Sequence, residues 1–263
     1  NRNHFDDSGQ QGGLVDDIGA QFDDVADFEV GEGQDDVVLG TVVIAFAEGL
    51  RPEPALDEIR KRAAAANVPL ETVPRSILDR QSARGAHQGV IAMARPFHYA
   101  DLAAVLKAAA DRERALVIVL DHVTDPGNLG AVVRSAEVAG ARAVIIPKDR
   151  AASVGPVAHK ASAGATAHLP IVQVGNIARA LQDLKDAGFW VAGADERAKE
   201  DLWSAPLNGR LVLVMGAEGT GLARLTRERC DFLVRIPVAG RVSSLNVAQA
   251  TTVLAFEWVR RAE

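Results

Sequence analysis

Beyond residue 40 the chain alternates between short apolar runs and stretches with helical spacing. Residues 42–47 read as a strand and 53–67 as an amphipathic helix. Residues 69–73 and 87–94 read as further strands, the second a compact apolar run bounded by glycine and proline. Leu102, Val105, Leu106 and Ala109 then mark a helical face inside 96–114. From Ala115 the rhythm is regular, with apolar runs at 115–120, 143–146, 169–174, 189–193, 211–215 and 232–236. Helical stretches at 129–139, 154–163, 177–187 and 222–229 fall between most of them, and Val247–Arg260 closes the chain. Strands that are apolar throughout, alternating with helices, predict an α/β fold: a mostly parallel sheet with helices on both faces.

Residues 1–40 show no sustained period and are rich in Gly, Gln and Asp, the composition of a disordered leader. The division predicted is an acidic leader over 1–40, a small α/β domain over 41–96, a linker over 97–114 and a main domain over 115–263. Charge follows the same division. Residues 1–50 hold 12 acids and one base, a net of −11, so the remainder carries +5 within the total of −6. The body is therefore mildly basic, which permits a polyanionic partner without requiring one. Cys230 is the single cysteine, so no intrachain disulfide can form and a reducing compartment is expected. No apolar run approaches the roughly 20 residues of a membrane-spanning helix, and residues 1–10 lack the basic-then-apolar pattern of a signal peptide. The chain starts at Asn1 rather than methionine, as a fragment would. A cytoplasmic, non-membrane protein is the expectation.

In parallel sheets ligands sit beyond the carboxyl ends of the strands, which directs attention to the loops after Leu120, Met215 and Ile236. The first runs from Asp121 to Gly130. Asp125-Pro126-Gly127 forms a turn, Asn128 is placed to cap the next helix, and Arg134 follows within its second turn. Locally, Arg134 reads equally as a surface residue or as a phosphate or ribose contact. The second loop, Met215-Gly-Ala-Glu-Gly-Thr-Gly221, has three glycines spaced unlike a dinucleotide fingerprint. Glu218 within it is either a ligand acceptor or a loop-stabilising carboxylate. The third, from Ile236 to Asn246, places Ser243, Ser244 and Asn246 just before the closing helix, where capping accounts for only one of them. His4, His87, His98, His122, His159 and His168 show no metal-ligand spacing, and no metal is expected. His122, beside the first loop, is the histidine worth testing.

Taken together and in order, Asn128-Leu-Gly-Ala-Val-Val-Arg134, Val214-Met-Gly-Ala-Glu-Gly-Thr-Gly221 and Ile236-Pro-Val-Ala-Gly-Arg-Val-Ser-Ser-Leu-Asn-Val247 resemble the three motifs of the SpoU/TrmH family. These are SPOUT-class RNA ribose 2′-O-methyltransferases that use S-adenosyl-L-methionine. The resemblance spans 115–263, with Ala143-Val-Ile-Ile-Pro-Lys-Asp-Arg150 also matching. It extends more loosely over 53–96, where His87-Gln-Gly-Val-Ile-Ala92 is similar to the end of the family's small RNA-binding domain.

The resemblance implies a C-terminal trefoil knot, although chains in general avoid threading. It also implies a homodimer with the closing helix near the interface. By the same resemblance Gly216, Glu218, Gly221, Ile236, Leu245 and Asn246 bind the cofactor, while Arg134, Asn128, Glu218, Ser244 and Asn246 form the catalytic group. A free guanidinium is too basic to be a ready general base. Arg134 is therefore expected to orient the 2′-hydroxyl and adjacent phosphate and to stabilise the emerging alkoxide. The wording of 87–92 and 238–244 directs the implied activity to a guanosine of 23S ribosomal RNA. A tRNA ribose methyltransferase and a non-catalytic rRNA-binding assembly factor of the same fold remain alternatives.

Overall fold

The computed structural model describes residues 25–27, 41–82, 87–242 and 244–262. The chain divides after Pro96 into two compact units.

The first unit holds strands β1 (Val25–Asp27), β2 (Thr41–Ala47), β3 (Leu70–Val73) and β4 (Val90–Ala94) and helices α1 (Pro54–Ala65) and α2 (Arg75–Gln81). The sheet order is β1-β4-β2-β3, with β2 antiparallel to β4 and parallel to β3. Successive β2 side chains point to opposite faces, and both faces are buried. Val43, Ala45 and Ala47 pack with Leu78 of α2, and Ile44 and Phe46 with Leu56, Ile59 and Ala63 of α1. Of the segment read as a leader only Val25–Asp27 is described. It pairs antiparallel with β4, which the absence of periodicity did not suggest. The rest of that segment lies outside the described residues.

In the second unit β5 (Ala115–Asp121), β6 (Ala143–Pro147), β7 (Ile171–Val174), β8 (Trp190–Ala194), β9 (Glu200–Asp201), β10 (Arg210–Gly216) and β11 (Phe232–Arg235) form one sheet. Its order is β7-β6-β5-β10-β8-β11-β9, and every pairing between these strands is parallel. Residues 97–114 belong to this unit and carry α3 (Leu102–Ala109). The other helices are α4 (Pro126–Val138), α5 (Pro156–Ala161), α6 (Ile177–Asp186), α7 (Arg224–Arg229) and α8 (Val247–Arg260). β5 is buried along its whole length because helices cover both faces. Leu116, Ile118 and Leu120 meet Leu129, Val132 and Val133 of α4 and Leu254 and Ala255 of α8. Val117 and Val119 meet Val105 of α3 and Leu181 and Leu184 of α6.

Two arginines, one at the start of β10 and one just after α8, fasten loops around this sheet. Arg210 donates to the carbonyls of Ala109, Arg112 and Ala187, and Arg261 to those of Leu202, Trp203 and Ala205. No helix among the described residues is long and apolar enough to cross a membrane.

Candidate active site

β5 and β10 are adjacent, yet the chain leaves them in opposite directions: from β5 through α4 to β6 on one side, and from β10 through α7 to β11 on the other. Such a divergence opens a crevice at the strands' carboxyl ends, here where Asp121 and Gly216 are register partners.

Three side chains from three separate segments meet beyond those ends. The Asn246 amide donates to Asn128 Oδ1 at 2.8 Å and to Glu218 Oε1 at 2.8 Å, and Asn128 Nδ2 donates to the same Glu218 oxygen at 3.1 Å. The amide orientations support one another. Asn246 Oδ1 accepts from the Ala248 N–H at 2.8 Å, so its nitrogen must face the other two residues. Glu218 Oε2 accepts no hydrogen bond among the described residues and stays available at an exposed position.

The helices explain why these amides are free to meet. Asn128 does not cap α4. Asp125 does, its Oδ1 accepting from the Asn128 N–H at 2.7 Å with Pro126 in the first turn. In this Asp-Pro-Gly-Asn segment the proline starts the helix three residues earlier than the apolar spacing suggested. That leaves Asn128 inside the first turn with its side chain directed outward to the ring. Asn246 does cap α8, and it bridges to the ring as well.

The remaining predicted residues are placed individually. Arg134 is exposed on α4 and makes no hydrogen bond or ion pair among the described residues. Ser244 and Leu245 are exposed before α8, Ile236 is half-buried against the main core, and Ser243 lies outside the described residues. Neither Ser244 nor Arg134 hydrogen-bonds to the ring. Gly216 and Gly221 come together: a side chain at Gly216 would lie 2.2 Å from the Gly221 carbonyl carbon, so the loop can fold back only over glycine. Gly221 (φ +68°) closes that loop by donating to Ala217 O at 2.9 Å.

Asp121, the last residue of β5, carries no site role in the sequence motifs. It is fully buried, with Oδ2 accepting from the Ala223 N–H and Oδ1 against His122 Nδ1. An acid ending an apolar strand was its only sequence signal. Burial pushes the Cys230 thiol up to about 12, so it is not a ready nucleophile. Among the described residues no three His, Cys, Asp or Glu side chains converge in a metal-binding group.

Residues 115–256, more than half of the chain, match the family model of the SpoU rRNA methylase family. The chain belongs to that family. Residues 41–100 match a second model, RNA 2′-O ribose methyltransferase substrate binding. Among curated relatives of this SpoU family member, the 23S rRNA (guanosine-2′-O-)-methyltransferase RlmB of Pseudomonas putida is 46% identical over 221 residues, covering 83% of this chain and 88% of the relative. RlmB of Yersinia pestis is 43% identical over 226 residues, covering 85% and 89%. Among solved structures, the SpoU methyltransferase AviRb from Streptomyces viridochromogenes, in complex with AdoMet, superposes with a TM-score of 0.69. The sequences are 25% identical, and the match covers 84% of this chain and 83% of that one.

Proposed function

We propose that this SpoU-family protein methylates the ribose 2′-hydroxyl of a guanosine in 23S ribosomal RNA, using S-adenosyl-L-methionine. Identity of 46% across most of both chains to an enzyme named for that reaction supports the substrate. The observation that carries the catalytic reading is the Asn128–Glu218–Asn246 ring at the mouth of the β5–β10 crevice, on the same helix-and-loop framework as the unpaired Arg134.

The loops fit an adenosyl group. The folded-back Gly216–Gly221 segment exposes backbone where any side chain would intrude, and Leu245, 42% exposed, offers apolar surface that water leaves unsatisfied. Gly216, Gly221, Ile236 and Leu245 would hold the adenosyl moiety, with Glu218 and Asn246 at its polar edge. When bound, the cofactor supplies a methyl carbon made electrophilic by its sulfonium.

The protein's share is placement and electrostatics. Arg134, with its donors unengaged by protein, holds the 2′-oxygen and the neighbouring phosphate. It stabilises the oxyanion as the hydroxyl proton passes to water. Asn128 and Asn246 fix Glu218 through Oε1 and leave Oε2 for a ligand, and Ser244 supplies an exposed hydroxyl.

The same reading covers the larger organisation. The segments carrying 215–221, 236–241 and 243–247 form a trefoil knot, consistent with sequence-distant residues converging on one ring. Residues 41–96 bind the RNA substrate and 115–263 carry out transfer, while 1–40 contain no cofactor motif. The protein acts as a homodimer, for which exposed Val253 and Phe256 on α8 supply apolar surface, and it works in the cytoplasm, where rRNA is modified.

The test is transfer of labelled methyl from S-adenosylmethionine to protein-free 23S rRNA and to bulk tRNA, with the ribose mark mapped. Label on one guanosine of 23S rRNA is expected. Label on tRNA alone would keep the chemistry and overturn the substrate. Cofactor binding with no label on RNA or on ribosomal particles would favour an assembly factor.

A further inference from the structure

Asp121 is a buried carboxylate that the proposed chemistry does not use. It ends β5 opposite Gly216, its side chain has no solvent exposure, and among the described residues no lysine or arginine pairs with it. An isolated buried carboxylate is costly unless both oxygens find donors. Here Oδ2 accepts the Ala223 N–H at 2.7 Å and Oδ1 lies 2.6 Å from His122 Nδ1. The second contact depends on an unusual backbone. His122 sits at φ +61°, a left-handed conformation rare outside glycine, and this turn brings its ring onto the carboxylate of the residue before it.

Ala223 is where the glycine-rich loop ends and α7 begins. The loop's other end is fixed by β10, and between them the chain doubles back over Gly216 through the Ala217–Gly221 pairing. Glycines contribute little stiffness of their own. The tether at Ala223 therefore decides whether 217–222 is held in one conformation or samples several.

We infer that Asp121 is a positioning residue: a latch, through the Ala223 N–H, that holds the 217–222 loop folded over Gly216 with Glu218 at the ring. This rests on reading 216–221 as the cofactor loop. A loop ordered in advance binds more tightly because binding need not supply the ordering.

Calorimetry with S-adenosylmethionine and hydrogen exchange on the cofactor-free full chain test this together. Asp121→Ala is expected to bind the cofactor roughly tenfold more weakly and to exchange amides 217–223 faster than wild type. Asp121→Asn, whose amide oxygen still accepts from Ala223, is expected to bind within about threefold of wild type. Thermal melting of each variant separates loss of fold from loss of latch. A folded Asp121→Ala protein with wild-type exchange at 217–223 would overturn the inference. So would Asp121→Asn losing as much affinity as Asp121→Ala. If wild type binds no cofactor, the cofactor reading fails, while the exchange comparison still decides the latch.

Discussion

Asn246 performs two tasks with one amide, and substitution can separate them. Its oxygen caps α8 and its nitrogen holds Asn128 and Glu218. Asn246→Ser keeps a capping oxygen, so stability by urea titration is expected to stay near wild type, whereas Asn246→Ala loses about 1 kcal/mol. Both remove the bridge, so methyl transfer falls in both. Serine restoring full activity would reduce Asn246 to a cap. Arg134 makes a contrasting case. It is exposed and has no partner among the described residues, so Arg134→Ala is expected to melt like wild type while single-turnover transfer drops roughly 100-fold, the scale of losing one aligned donor to a developing oxyanion. At this scale the sequence was only partly legible. Asp125 and Asn128 are both residues that cap helices, and local pattern favoured the wrong one. The ring itself had no local signal, because its members are 90 and 118 residues apart along the chain.

At the scale of elements, what could be read was whatever is buried on a fixed period. β5 and β10 are apolar throughout because helices cover both sheet faces. α8 was read with its observed limits because an apolar face runs from Val247 to Trp258 behind an asparagine cap. α2 went unread since Leu78 is its one buried residue, and β9 since Glu200–Asp201 contains no apolar residue. α8 also carries a pH signature. Glu257 is nearly buried, and its carboxyl is held at about 2 by hydrogen bonds from Arg260 and Arg261. Its folded value lies below its unfolded one, near 4.3. The stabilisation is therefore full above that pH and lost as pH falls toward 2. Glu257→Gln is expected to be less stable than wild type at pH 7, with the difference closing between pH 4.5 and 2. Urea unfolding across that range checks it, and a gap that persists at pH 2 would assign the effect to packing.

For the whole molecule, the residues proposed for the cofactor all lie in 216–246, far along the chain from the acidic residues 1–40. Removal of residues 1–40 is expected to leave S-adenosylmethionine affinity by calorimetry unchanged. RNA affinity should fall steeply with added salt while cofactor affinity does not, because only the former displaces counterions. The two ends of α8 are secured very differently. Near its carboxyl end, Arg261 grips three carbonyls and Glu257 grips two arginines. Its first turn depends on the asparagine that also completes the ring with Asn128 and Glu218. Helix ends fray before helix centres, so warming should loosen this turn while the clamped end and the sheet stay intact. The enzyme would then fall silent at a temperature where its circular dichroism is still that of the native protein, and cooling would restore it without any refolding.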